Sequence, residues 1–118
     1  MRISAIRSTF CVVAWLCAVP ALAAPCDSLA ALALKDAKLT AAQVVPAGQF
    51  SPPGERPDGA RNPYRTLPAF CRVAATLTPT SDSDIKVEVW LPTSGWNGKF
   101  QAVGNGGWAG EISYTAMA

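Results

Sequence analysis

The chain has 118 residues, a formal net charge of +2 and no histidine. Without His, these residues hold no Ser–His or Cys–His catalytic pair and no imidazole metal ligand. The length fits one domain at most, and the charge is too small for a nucleic-acid footprint. With 50% apolar and 15% charged residues, a disordered charged tail is also excluded.

Residues 1–23 read as a secretory signal. Arg2 and Arg7 make a positive start. Thr9 to Val19 is an apolar run of eleven, short of the roughly 20 residues a bilayer span needs. Pro20 breaks the run, and Ala21-Leu22-Ala23 offers small residues where a signal peptidase reads, so cleavage is expected between Ala23 and Ala24. The alternative is a buried N-terminal helix. Pro25 stands where a lipoprotein signal wants a small residue, which argues against an anchor at Cys26. Residues 24–118 carry eight basic and eight acidic side chains, so the +2 says nothing about partners. The expected product is exported to the periplasm or the medium, with no membrane anchor and no nucleic-acid partner.

Cys11 and Cys17 leave with the signal, so Cys26 and Cys71 have only each other. An oxidising compartment favours their disulfide over two free thiols. Their separation of 45 positions is worth roughly 4 kcal/mol in the chain-entropy model.

Cys26 to Leu39 predicts a short surface helix. Asp27 and Ser28 can cap it, and Leu29, Leu32, Leu34 and several Ala favour it. A short strand is predicted around Val44 and Val45, stopped by Pro46 and Gly48. Ser51 to Pro63 has four Pro and two Gly, the composition of a surface connection and not of a central strand. Cys71, Val73, Ala75 and Leu77 alternate with Arg72, Ala74 and Thr76. Ile85, Val87, Val89 and Leu91 alternate with Lys86, Glu88 and Trp90. Both segments have the period of a strand with one buried face, and the polar Thr78–Asp84 connector suits an antiparallel pair. Pro92 ends the second segment, Ser94 to Gly98 is a turn, and Lys99 to Val103 predicts a further strand with Phe100 and Ala102 on one face.

That strand runs into Gly104-Asn105-Gly106-Gly107-Trp108-Ala109-Gly110. Glycine-rich loops after a strand can present N–H groups to a negative oxygen. One reading is a dinucleotide fingerprint, Gly104-x-Gly106-x-x-Ala109, which requires a following helix in a βαβ unit. A phosphate-binding P-loop is excluded, because no Gly-Lys-Ser/Thr follows. A third reading is an oxyanion hole of the α/β-hydrolase type. The plain alternative is a tight turn that lets two backbones pack. Glu88 and Glu111 read as solitary carboxylates, without the paired arrangement of glycoside hydrolysis.

The motifs Cys71-Arg72-Val73, Val87-Glu88-Val89-Trp90-Leu91-Pro92, Trp96-Asn97-Gly98-Lys99-Phe100 and Gly104 to Gly110 occur in an order that resembles the N-terminal part of the tannase/feruloyl esterase family. The resemblance runs from about Cys26 to the end. It implies an α/β fold: the start of an α/β-hydrolase domain spanning residues 24–118, with a short helix, about three strands and a glycine-rich oxyanion loop, truncated before the nucleophile. It implies a serine carboxylic-ester hydrolase acting on small aromatic esters such as gallates and ferulates. It also implies that Gly107 donates its backbone N–H to the oxyanion, supported by Gly104, Asn105, Gly106 and Gly110. The Cys26–Cys71 disulfide fits the same pattern. The triad Ser, Asp and His, the lid and the lid calcium of such enzymes would lie beyond Ala118, so no cofactor or metal is expected here and the chain alone should be inactive. The competing reading is a small exported binding module that stacks aromatic or carbohydrate ligands on Trp90, Trp96 and Trp108.

Overall fold

The computed structural model describes residues 24–55 and 62–118. The expected signal at 1–23 lies outside them. A 3-10 helix at Cys26–Ala31 is followed by three strands, β1 (Ala37–Val45), β2 (Phe70–Leu77) and β3 (Ile85–Pro92), and a single helical turn, α1 (Tyr114–Met117). The strands form one antiparallel sheet in the order β1-β2-β3.

The predicted antiparallel pairing of β2 with β3 is present, with Arg72 opposite Trp90 and Val73 opposite Val89. The Thr78–Asp84 connector joins them, and Thr80 Oγ1 donates to Asp82 Oδ1 at 2.7 Å. The predicted helix at Cys26–Leu39 is not what forms. Helical structure stops at Ala31, Asp36 takes a positive φ of 54°, and Ala37 enters β1. Alanine and leucine propensity is a weak prior, and it gives way here to pairing with β2, where Ala37 meets Leu77. The strand expected around Val44 and Val45 is therefore longer, with a register shift between Leu39 and Ala41. A disulfide joins Cys26 to Cys71 as expected and holds the 3-10 helix against β1 and β2.

The strand expected at Lys99–Val103 is absent. A strand exists only where a neighbour takes its hydrogen bonds, and this segment has none among the described residues. The turn before it does form: Asn97 Oδ1 accepts from Lys99 N–H at 3.0 Å, and Trp96 Nε1 donates to Lys99 O at 3.0 Å.

Which face of the sheet is covered also differs from the sequence reading. Cys71, Val73, Ala75 and Leu77 share a face with Ile85, Val87, Val89 and Leu91. On β3 that aliphatic row is exposed, from 36% at Val87 to 49% at Ile85. The core lies on the opposite face, where Val45, Phe70 and Trp90 meet Phe50 and Tyr64 from the loop between β1 and β2, and Tyr114 from α1. Phe50 is the centre. Its ring lies 5.0 Å from Tyr64, 4.6 Å from Trp90 and 5.4 Å from Tyr114, and Phe70 stacks on Trp90 at 4.5 Å. Aromatic pairs at such spacings add about 0.5–1.5 kcal/mol each beyond their burial.

Two polar devices hold the long β1–β2 connection over this core. The buried Asn62 donates from Nδ2 to Phe50 O at 2.9 Å and accepts the Tyr64 N–H at 2.8 Å. Gly48, at φ 68°, donates to Leu67 O, and a Cβ there would stand 2.7 Å from Arg65 O. Only glycine permits both that φ and that approach.

Candidate functional site

The glycine loop sits between the irregular segment after β3 and α1. All of Gly104–Gly110 is exposed, and Trp108 projects fully into solvent. Gly107 and Gly110 take φ of 57° and 66°, a region that side chains disfavour. A Cβ at Gly104, Gly106, Gly107 or Gly110 would meet nothing within 4 Å. Backbone conformation therefore requires two of the four glycines, and close packing requires none of them. This removes the plain alternative of a turn that lets two backbones pack. The dinucleotide reading fails too, because Glu111–Ser113 is not helical and α1 is one turn long.

The only backbone bond inside the loop runs from Ala109 N–H to Gly106 O at 3.4 Å, and the Gly107 N–H has no hydrogen-bond partner among the described residues. An open groove of about 710 Å³ runs along β3, walled by Phe70, Val89, Trp96, Phe100 and Met117. The glycine loop lies outside it. Of the three tryptophans offered as a stacking surface, Trp90 is packed among core rings while Trp96 and Trp108 are exposed, so the three do not form one platform.

The densest polar chemistry is on the core face of the sheet. The Arg72 and Glu88 side chains are 15% and 3% exposed. They are diagonal neighbours across β2 and β3, a relation that long side chains span. Arg72 Nε donates to Glu88 Oε2 at 2.9 Å and Nη2 donates to Oε1, a two-pronged ion pair of the geometry that favours arginine over lysine. Trp90 Nε1 donates to Oε2 at 3.1 Å and the Tyr114 hydroxyl donates to Oε1 at 2.9 Å. Burial alone would push the Glu88 carboxyl up. The hydrogen bonds from Arg72, Trp90 and Tyr114, with the guanidinium charge, outweigh it and hold the carboxyl below its ordinary range. The Tyr114 phenol is pushed up, first by burial and then by donation to the Glu88 carboxylate. Hydrogen bonding to Glu88 likewise raises Arg72.

Over 94 residues, 80% of its length, the chain is 43% identical to an uncharacterized esterase of Xanthomonas campestris pv. campestris. It is 36% identical to a probable feruloyl esterase B-1 of Aspergillus oryzae over 80% of its length, and 32% identical to a probable feruloyl esterase B-2 of Aspergillus terreus over 83%. The chain is homologous to proteins named esterase and feruloyl esterase, as a fragment of the tannase/feruloyl esterase family would be. It spans 15%, 18% and 19% of these three relatives, so the homology concerns one part of an esterase. No family model matches the chain, and no solved structure matches it.

In this esterase homologue, sequence reasoning anticipated the disulfide but missed the Arg72–Glu88 centre. It took Glu88 for a solitary carboxylate, whereas four donor groups converge on it. The signal was present in the alternation. Arg72, Glu88 and Trp90 fall on one face of adjacent strands, and an Arg and a Glu beside a Trp on a sheet face are well placed to pair. Tyr114 could not be found this way, because it returns to the sheet from 26 residues beyond Glu88. Among the described residues, no three of His, Cys, Asp and Glu cluster to hold a metal ion, and no helix is long and apolar enough to cross a membrane.

Proposed function

We propose that this chain supplies the N-terminal part of a serine carboxylic-ester hydrolase of the α/β-hydrolase type, acting on small aromatic acid esters. Residues 1–23 direct export to the periplasm or medium, and residues 24–118 open the hydrolase domain. The observation that carries the reading is the Gly107 amide, without a partner among the described residues and at positive φ, in a segment whose relatives are named esterases.

In the proposed reaction a serine attacks the ester carbonyl, and histidine takes its proton and passes it to the leaving alcohol. Water then releases the aromatic acid from the acyl-enzyme. The carbonyl oxygen becomes negative in each tetrahedral intermediate, and Gly107 N–H donates to it. Gly104, Asn105, Gly106 and Gly110 shape the loop that presents this donor. One such hydrogen bond typically lowers the barrier by about 2.7–4 kcal/mol. These residues contain no His, so the base comes from sequence outside them; the proposal places the serine and acid there too, and the 118 residues alone do not turn over ester.

The test is hydrolysis of methyl ferulate and methyl gallate by two proteins: the 118-residue chain, and the product of the gene read in frame past Ala118. The expected result is no turnover by the first. The second should show turnover sensitive to a serine reagent, with kcat falling by about 10²–10³ in Gly107→Pro, which removes the N–H but also cannot take the φ of 57°, and falling less in Gly107→Ala, which is disfavoured at that φ but keeps the N–H. Turnover by the 118-residue chain, or an unchanged kcat in Gly107→Pro, would overturn the reading. Amino-terminal sequencing of the exported product should begin at Ala24.

A further inference from the structure

The glycine loop makes almost no contacts of its own, so its position must be set from its ends. On the near side, Gln101 Nε2 donates to Ala116 O at 3.2 Å, which closes residues 102–115 into a stem-and-loop. On the far side, Tyr114 follows the loop by four residues, its ring packed on Phe50 and Trp90. Among the described residues, one hydrogen bond joins residues 94–118 to the sheet: Tyr114 hydroxyl to Glu88 Oε1. Glu88 is in turn held by Arg72 on the middle strand and by Trp90 on its own strand.

We propose that Glu88 and Tyr114 are positioning residues for the glycine loop: the carboxylate, clamped by Arg72 within the sheet, holds the Tyr114 hydroxyl and so fixes where the Gly107 amide stands. This rests on the reading of Gly107 as the oxyanion donor for its catalytic meaning, but not for its structural content. The physical logic is economy of attachment. A loop with exposed residues and positive-φ glycines loses much conformational entropy when ordered. A pinned stem reduces the freedom left to the loop, and a charge-assisted hydrogen bond away from bulk water is a strong pin. The carboxylate suits this task because it can accept all the donors that converge on it, whereas an amide in its place offers one acceptor oxygen.

The test is ¹⁵N relaxation on the full, disulfide-bonded chain. The wild type should show order parameters above about 0.6 across Gly104–Gly110. Tyr114→Phe keeps the ring and loses the hydroxyl; it should drop the loop below about 0.6 while β1–β3 stay near 0.85. Glu88→Gln adds a spectroscopic readout on the hydroxyl itself, taken where near-ultraviolet dichroism shows the Tyr114 ring still packed, because exposure of the ring would lower its titration as well. The Tyr114 phenolate absorbance, isolated by difference against Tyr114→Phe, should titrate at lower pH than in the wild type. A loop already mobile in the wild type, or unchanged in Tyr114→Phe with the sheet intact, overturns the proposal. If Tyr114→Phe does not fold, Glu88→Gln decides through loop order alone, and unchanged order overturns it. The two readings fail separately. Loosening in Tyr114→Phe together with unchanged kcat in Gly107→Pro keeps the anchor and removes the oxyanion role.

Discussion

The chain before Thr93 and the chain after it are organised by different means. Among the described residues, the first part holds every buried one, namely Val45, Phe50, Pro52, Asn62, Tyr64, Phe70 and Cys71, together with the disulfide and the sheet. In the second part every residue from Thr93 to Glu111 is exposed, and order rests on a few hydrogen bonds and one tyrosine ring. The contrast separates the part of this chain that makes its own core from the part that borrows one. The proposed chemistry sits on the borrower.

The sharpest way to break the contrast is to empty the core. Phe50→Ala removes the ring that touches Tyr64, Phe70, Trp90 and Tyr114. It should cost about 3–5 kcal/mol, read as a collapse of the denaturant midpoint and of near-ultraviolet dichroism. Next is Cys26→Ser. It opens a bridge of sequence separation 45 and should cost about 2–4 kcal/mol, and reductant should reproduce the loss in the wild type but not in the mutant.

A smaller effect is expected from pH. The Glu88 carboxyl lies below its ordinary value in the folded chain. Its contribution is therefore complete above the unfolded value near 4.5 and is lost as pH falls below that through the folded value. Stability measured from pH 6 down to pH 2 should decline less steeply in Glu88→Gln than in the wild type, and parallel curves would contradict this. The smallest effect is Trp108→Ala, a fully exposed side chain. It should shift stability by no more than about 0.5 kcal/mol; a larger loss would mean that the second part has a core of its own.

Much of the first part could be read from residues alone. Alternation identified β2 and β3 and the nature of their pairing, and two cysteines left one bridge to make. What alternation could not say was which face is covered. Period two defines two faces, and both are rich in carbon here: Val87, Val89 and Leu91 on one, Phe70 and Trp90 on the other. The choice was made by Phe50, Tyr64 and Tyr114, which lie outside the strands and bring their rings to the Trp90 face. Val87 and Leu91 are left 36% and 43% exposed.

The helix expected up to Leu39 failed for a similar reason, since β2 offered Ala37–Val45 a full row of partners. The strand expected at Lys99–Val103 failed for the opposite one, because no described strand offered it partners. At the glycine loop, the residue types were visible but their necessity was not. Only Gly107 and Gly110 have a conformation that demands glycine. The tie to Glu88 depends on a chain reversal that no local pattern encodes.

The disulfide has a mechanical consequence. Because β1 lies wholly between Cys26 and Cys71, it sits inside a covalent ring whose other end is the central strand. Tension applied at the amino terminus crosses the sulfur bridge and arrives at β2 directly, bypassing β1. The outer strand is thereby shielded from peeling by any pulling motor or tether attached at that end.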